Sequence, residues 1–232
     1  MTTLRIDIWS DIACPWCYIG KRHLESALAS FPHAEHVEIV WRAFELDPSA
    51  PKTAPDVRQP MAERLAAKYG TDVTTAQGQL ERVAGIGAKD GLELRFDRMQ
   101  PGNTFDAHRL LAFAHANGKQ DALKERLFRA YMTDGAAIYD RDVLLACAKD
   151  VGLDATDALT GDAYTDEVRN DERLARELGI SGVPFFVFGG RLAVSGAQPA
   201  DVLRGALDKA WTDAGEKQEF ADGAACGPDG CD

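Results

Sequence analysis

Apolar and polar positions alternate along residues 4–9, LRIDIW, with Leu4, Ile6 and Ile8 on one face, and this period of two predicts a strand. The period then changes. After SDIACPWCYIG, residues Leu24, Leu28 and Phe31 recur at helical spacing until Pro32 stops the run. Residues 37–43, VEIVWRA, predict a second strand. Pro48, Pro51, Pro55 and Pro60 then mark an irregular connection.

From about 60 to 178 the pattern is helical throughout. MAERLAAKYG ends on Gly70, a natural C-terminal cap. Val73, Leu80, Val83 and Ile86 mark the next helix, and Asn103 or Thr104 is placed to cap NTFDAHRLLAFAHANG. DALKERLFRAYM, DRDVLLACAKDVG and DEVRNDERLARELG carry similar patterns. Strand character returns in GVPFFVFGG, whose Gly189-Gly190 pair signals a hairpin to RLAVSGA. The last helix, ADVLRGALDKAW, is expected to turn Val202, Leu203, Ala206, Leu207 and Ala210 inward. The remaining GEKQEFADGAACGPDGCD has little apolar content and reads as an extended tail.

The order is β-α-β, a helical block, then β-β-α. With a CxxC at the first strand-to-helix turn, this predicts an α/β chain: a thioredoxin-like fold interrupted by a large all-helical insertion. The expected parts are 1–58 and 179–215 for the thioredoxin-like unit, 59–178 for the insertion and 216–232 for the tail.

Composition narrows the function. The 232 residues include 26 Lys and Arg against 37 Asp and Glu, a net charge of −11. That balance argues against nucleic acid and against an anionic membrane surface, both of which call for clustered cations. No apolar run is long enough to span a bilayer. The first residues lack the basic, apolar and small-residue segments of an export signal, so a cytoplasmic location is expected. In a reducing compartment the five cysteines are better suited to catalysis or metal binding than to staples.

Cys14-Pro15-Trp16-Cys17 meets the needs of dithiol exchange. Cys14, at the helix start where partial positive charge favours a thiolate, is the nucleophile, with its sulfur open to substrate. Cys17, one turn deeper, resolves the mixed disulfide. Pro15 loses no N–H bond at the first helical position, and Trp16 offers a flat apolar face to an unfolded peptide. In the tail, Cys226-Gly227-Pro228-Asp229-Gly230-Cys231 is a CxxxxC bent by a Pro-Asp-Gly turn. Closing so short a loop stabilises little, about 2 kcal/mol, so an electron relay to Cys14/Cys17 is the favoured role. A zinc-binding module using both cysteine pairs is an alternative. Cys147 reads as a core thiol, and His108 and His115 as packing or surface residues. Lys21, Arg22 and His23 add weak positive potential or form a solvated face, while Trp9 and Asp11 flank the site. No phosphate loop or Ser-His-Asp spacing is present, and no metal ligand set is assigned.

DIACPWCYIGK, NTFDAHRLL and GISGVPFFVFGGRLAVSGAQ, in that order, resemble the FrnE-like branch of the DsbA family over roughly residues 4 to 210. The resemblance implies a thioredoxin fold with inserted helices and disulfide oxidoreductase or isomerase activity on protein or small thiol substrates. It also implies a cis-proline loop at Val183-Pro184 whose backbone holds substrate. The pair itself is the redox group, so no cofactor is implied, with glutathione as a candidate reductant. Where DsbA has Pro-His between its cysteines, this chain has Pro-Trp, which implies a less oxidising disulfide. Relatives of the branch include glutathione-dependent isomerases and kappa-class transferases acting on small aromatics. These typically carry Ser at the nucleophile position, so they remain an alternative that the cysteine pair disfavours.

Overall fold

The computed structural model describes residues 3–54 and 59–221. Strand β1 (Leu4–Ser10), helix α1 (Pro15–Ala29) and strand β2 (Val37–Ala43) open the chain. Six helices follow: α2 (Met61–Tyr69), α3 (Val73–Lys89), α4 (Phe105–Ala116), α5 (Gln120–Arg129), α6 (Arg141–Asp150) and α7 (Thr165–Glu177). Strands β3 (Phe185–Phe188) and β4 (Leu192–Ser195) and helix α8 (Ala200–Ala221) complete it. A π-helical turn, Ala130–Asp134, continues α5.

The sheet order is β2-β1-β3-β4. The α1 crossover makes β1 and β2 parallel, in register from Leu4 opposite Val37 to Ser10 opposite Ala43. β3 runs antiparallel to β1, placing Phe186 opposite Ile8 and Phe188 opposite Ile6. The hairpin to β4 turns on Gly189 and Gly190, both at positive φ, a conformation glycine adopts without steric cost. The fold is thus the βαβ–ββα thioredoxin-like arrangement, with α2–α7 between its halves.

Two main cores result. Leu4, Ile6, Ile8, Phe186 and Phe188 on one sheet face pack with Leu24 and Ala27 of α1 and Leu203 and Leu207 of α8. The second core contains Leu110, Leu123, Leu127, Phe128 and Leu144 of the helical segment, and it runs on into Ile12, Cys17, Tyr18 and Ile19. Each fully buried Leu or Phe contributes about 1.5–3 kcal/mol, so the start of α1 is anchored mainly by the inserted helices. On the far sheet face, Trp9 lies with Ala175 and Ile180, and its Nε1–H donates to the Asp171 carbonyl at 3.0 Å.

Gly70 ends α2 in the left-handed conformation at φ 64°. Thr104 occupies the N-cap of α4 but makes no side-chain cap bond; Asn103 Oδ1 accepts from the Phe105 N–H at 3.0 Å. Cys147 is buried among the second core. Val202 faces solvent, at 44% exposure, instead of turning inward. Leu203, Ala206, Leu207 and Ala210 already fill the stripe against the sheet, and Val202 lies just past its edge. Cys226 and Cys231 lie outside the described residues. Among those residues no helix is long and apolar enough to cross a membrane.

Candidate active site

β1 ends at Ser10 and the chain turns at once into α1. The Asp11 carbonyl accepts from the Cys14 N–H at 3.1 Å, and the Cys14 carbonyl accepts from the Cys17 N–H at 3.0 Å. Cys14 is the N-cap residue in extended conformation, and Pro15 is the first helical residue. The Cys14 side chain makes no cap bond. Its thiol instead donates to the Val183 carbonyl at 3.5 Å, across the Val183-Pro184 bond, which is cis.

Gly20 makes this approach of helix and loop feasible. A Cβ there would lie 3.0 Å from Pro184 Cγ and 3.3 Å from Phe186 Cζ. Sequence reasoning passed over Gly20, although a glycine inside a helical run costs about 1 kcal/mol against alanine and so calls for a packing reason.

Cys14 is not open to solvent as its position at the helix start suggested: it is only 5% exposed. It lies along a cleft of about 990 Å³, together with Trp16 and Val183. Trp16 is 38% exposed, and Cys17 is fully buried beneath. The helical segment supplies the cover, since Met61, Phe96, Met99 and Tyr131 also line the cleft.

The electrostatics under the pair come from three separate elements. Burial pushes the Cys17 thiol far up, and Cys14 beside it adds to the effect; the ammonium of Lys124 opposes both. Lys124, on α5, is fully buried, with Nζ 4.9 Å from the Phe128 ring centre and 5.2 Å from that of Trp41. Nζ has no hydrogen-bond partner among the described residues. Burial lowers its pKa to about 8, against the pull of Cys17, Asp11 and Cys14. Asp11 is buried too. It accepts from the amides of Leu46 at 2.7 Å and Ala13 at 3.2 Å and lies 3.6 Å from His108 Nε2. Burial alone would raise its pKa, but His108 and the two amides together hold it below the usual carboxylate range.

Lys124 was not singled out in the sequence, yet a signal exists. Leu123, Leu127 and Phe128 form one apolar face of α5, and Lys124 stands four residues before Phe128, inside that face. His108 is buried beside Asp11, whereas His115 is exposed. Lys21, Arg22 and His23 do not present free charge to the site. Lys21 is buried against Glu25, with Asp121 at 3.2 Å and Glu125 at 3.4 Å. Arg22 pairs with Glu25 at 2.7 Å and with Glu125. The ring of His23 contacts the Gln198 carbonyl at 2.8 Å and Asp90 at 3.1 Å. Among the described residues no three His, Cys, Asp or Glu side chains are grouped as a metal site.

The DSBA-like thioredoxin domain matches residues 5–208, which include both halves of the sheet and the helices between them. The chain belongs to the DsbA-like thioredoxin family. This DsbA-like chain is 30% identical over 210 residues to the uncharacterized protein YwbO of Bacillus subtilis (strain 168), covering 88% of this chain and 96% of that one. It is also similar to the crystal structure of the probable DsbA oxidoreductase SCO1869 from Streptomyces coelicolor. That match has a TM-score of 0.83 and 43% identity, over 99% of this chain and 98% of that one. The cytosolic disulfide reductase DsbM from Pseudomonas aeruginosa shares the fold, with a TM-score of 0.57 and 21% identity over 88% of this chain and 97% of that one.

Proposed function

We propose that this chain is a thiol–disulfide oxidoreductase of the FrnE-like branch, acting on disulfides of protein or small thiol substrates through Cys14 and Cys17. The observation that carries this reading is the Cys14 sulfur at a helix N-cap, 3.5 Å from the Val183 carbonyl on a substrate-sized cleft, with Cys17 one turn beneath.

In the reducing direction, the Cys14 thiolate attacks one sulfur of the substrate disulfide. A mixed disulfide forms, and the first substrate thiolate leaves. Deprotonation of Cys14 removes the S–H donor from the Val183 carbonyl, freeing that acceptor for a substrate main-chain N–H, as in strand addition. Trp16 and Pro184 supply apolar contact beside it. Cys17 then loses its proton and attacks the Cys14 sulfur. The Cys14–Cys17 disulfide forms, the second substrate thiolate leaves, and two electrons have passed to the substrate.

Cys17 holds its proton strongly because it is buried, so this second step needs help. Lys124, with its pKa brought near 8 by burial, stabilises the Cys17 thiolate and takes part in its proton balance. A thiol such as glutathione returns the pair to the reduced form. Cys226 and Cys231 serve as a second dithiol exchanging with Cys14/Cys17. The cytoplasm is the compartment whose thiol pool fits this cycle.

The deciding experiment is insulin reduction with Cys14→Ser as control. Turnover by the wild type and loss of at least a thousandfold in the variant are expected. Equal rates in the two proteins reject the mechanism.

A further inference from the structure

The cleft carries a charge pattern that the chemistry at Cys14 does not use. In a chain of net charge −11, many cations are answered by carboxylates. Arg42 pairs with Asp7 and Asp171, Arg126 with Asp134 and Asp150, and Arg169 with Glu45 and Glu172. Arg64 and Lys68 of α2 and Arg82 of α3 line the cleft, and none has a carboxylate partner among the described residues.

Among the described residues, the acids on the same cleft are Asp11 and Asp47. Asp11 is committed to two backbone amides and His108, and Asp47 accepts from the Ser49 N–H and hydroxyl at 3.1 and 2.6 Å. Among the described residues the cleft therefore holds three cations without a carboxylate partner, and Lys68 Nζ lies 5.8 Å from the Tyr69 ring centre. The cleft also holds exposed apolar surface at Trp16, Leu46 and Tyr69, the last 64% exposed.

We infer that this wall selects polypeptide substrates whose cysteine lies in an extended acidic segment. The inference rests on the oxidoreductase reading and names its substrate class. Arg64 and Lys68 stand four residues apart on one helix face, a rise of about 6 Å. Alternate side chains of an extended strand repeat at about 6.7 Å, so acidic residues at i and i+2 meet both cations. The intervening side chains turn to the opposite side of the strand. A cleft of about 990 Å³ lies at the upper end of the range for small ligands, and it runs from the CxxC turn to two separate helices. That extent suits a chain segment better than one small molecule. Cations facing an anionic substrate raise its encounter rate, and salt screens the effect.

The test uses two ten-residue peptides, each closed by one internal disulfide, with Glu at alternate positions in one and Gln in the other. The reading is the bimolecular rate constant for peptide reduction by the reduced full-length protein. At low salt the Glu peptide is expected to react about tenfold faster, with the ratio collapsing towards one near 0.5 M NaCl. The triple variant Arg64→Gln, Lys68→Gln, Arg82→Gln should bring the ratio to about one, and the corresponding triple change to Glu should invert it. Equal rates for both peptides with the wild type overturn the inference and leave the oxidoreductase reading standing. No reaction with either peptide overturns both. Glutathione disulfide forms the third arm: if the triple variant slows that reaction but leaves the peptide ratio intact, the acidic polypeptide assignment falls. Should the variants fail to fold, the wild-type ratio and its salt dependence still decide.

Discussion

Two buried lysines, Lys21 on the CxxC helix and Lys124 on α5, show two solutions to one electrostatic problem. Lys21 is surrounded by Glu25, Asp121 and Glu125, and these carboxylates raise its pKa despite its burial. Lys124 lies deeper, facing the rings of Phe128 and Trp41 and the two thiols, and burial wins. The first arrangement fixes α1 against α5. The second keeps a destabilised charge beneath the dithiol. An unpaired charge in a core costs stability, and under the proposed function Lys124 offsets that cost by serving the two thiols.

Replacing Lys124 with Met should produce the largest effect and should raise stability. The shift from about 10.4 unfolded to about 8 folded corresponds to about 3 kcal/mol at pH 7. Below pH 8 the lysine is charged in both states and the full penalty is present. Between about 8 and 10.4 the unfolded chain binds more protons, so wild-type stability rises with pH and the advantage of the variant fades. Urea unfolding of the reduced proteins at pH 7 and pH 10.5 checks the sign. The same variant should resolve mixed disulfides at least tenfold more slowly, in a stopped reaction that follows release of the second thiol. A Lys124→Met protein that is less stable at pH 7 would remove the contrast between the two lysines.

Gly20→Ala sharpens the contrast from the loop side. The added methyl meets Pro184 at 3.0 Å on a buried helix face, a clash costing about 1–3 kcal/mol. Chemical denaturation reads that loss. A lowered kcat/KM on peptide disulfides should accompany it, because the Val183 carbonyl shifts relative to Cys14.

Lys21→Met should act in the opposite direction to Lys124→Met, and by less. Its folded pKa is raised, so its contribution is present at neutral pH and lost as pH climbs through the folded value. Glu25 and Asp121 are largely solvated, which screens the network and limits the loss to about 1 kcal/mol. High salt should shrink the difference further, and a thermal melt at two ionic strengths measures it.

Much of the fold was legible because its signals are local. The alternation in LRIDIW and VEIVWRA marks β1 and β2, with only Ser10 added to the first. Gly70 and Gly189-Gly190 mark a helix end and a hairpin through the backbone angles they adopt. The CPWC turn announces the candidate redox pair, because a proline after Cys14 fits the first helical position. Val202 was misread because a helical stripe has an edge, and only the packing of α8 on the sheet shows where it falls.

The candidate site was legible in part. Cys14 and Cys17 come from one turn of chain, whereas their surroundings are assembled from far along it: Asp11 from the end of β1, His108 from α4, Lys124 from α5, and Val183 from the loop before β3. Whether a lysine sits in solvent or beneath two thiols depends on which helix face meets which neighbour, and no local period encodes that. The sequence by itself determined the order of elements, the candidate redox pair and the excess of acid, since periodicity, turn chemistry and composition act within a few residues. The tertiary structure alone decided which charges are buried, which are answered and which line the cleft, since desolvation and Coulomb interactions depend on distances that only folding creates.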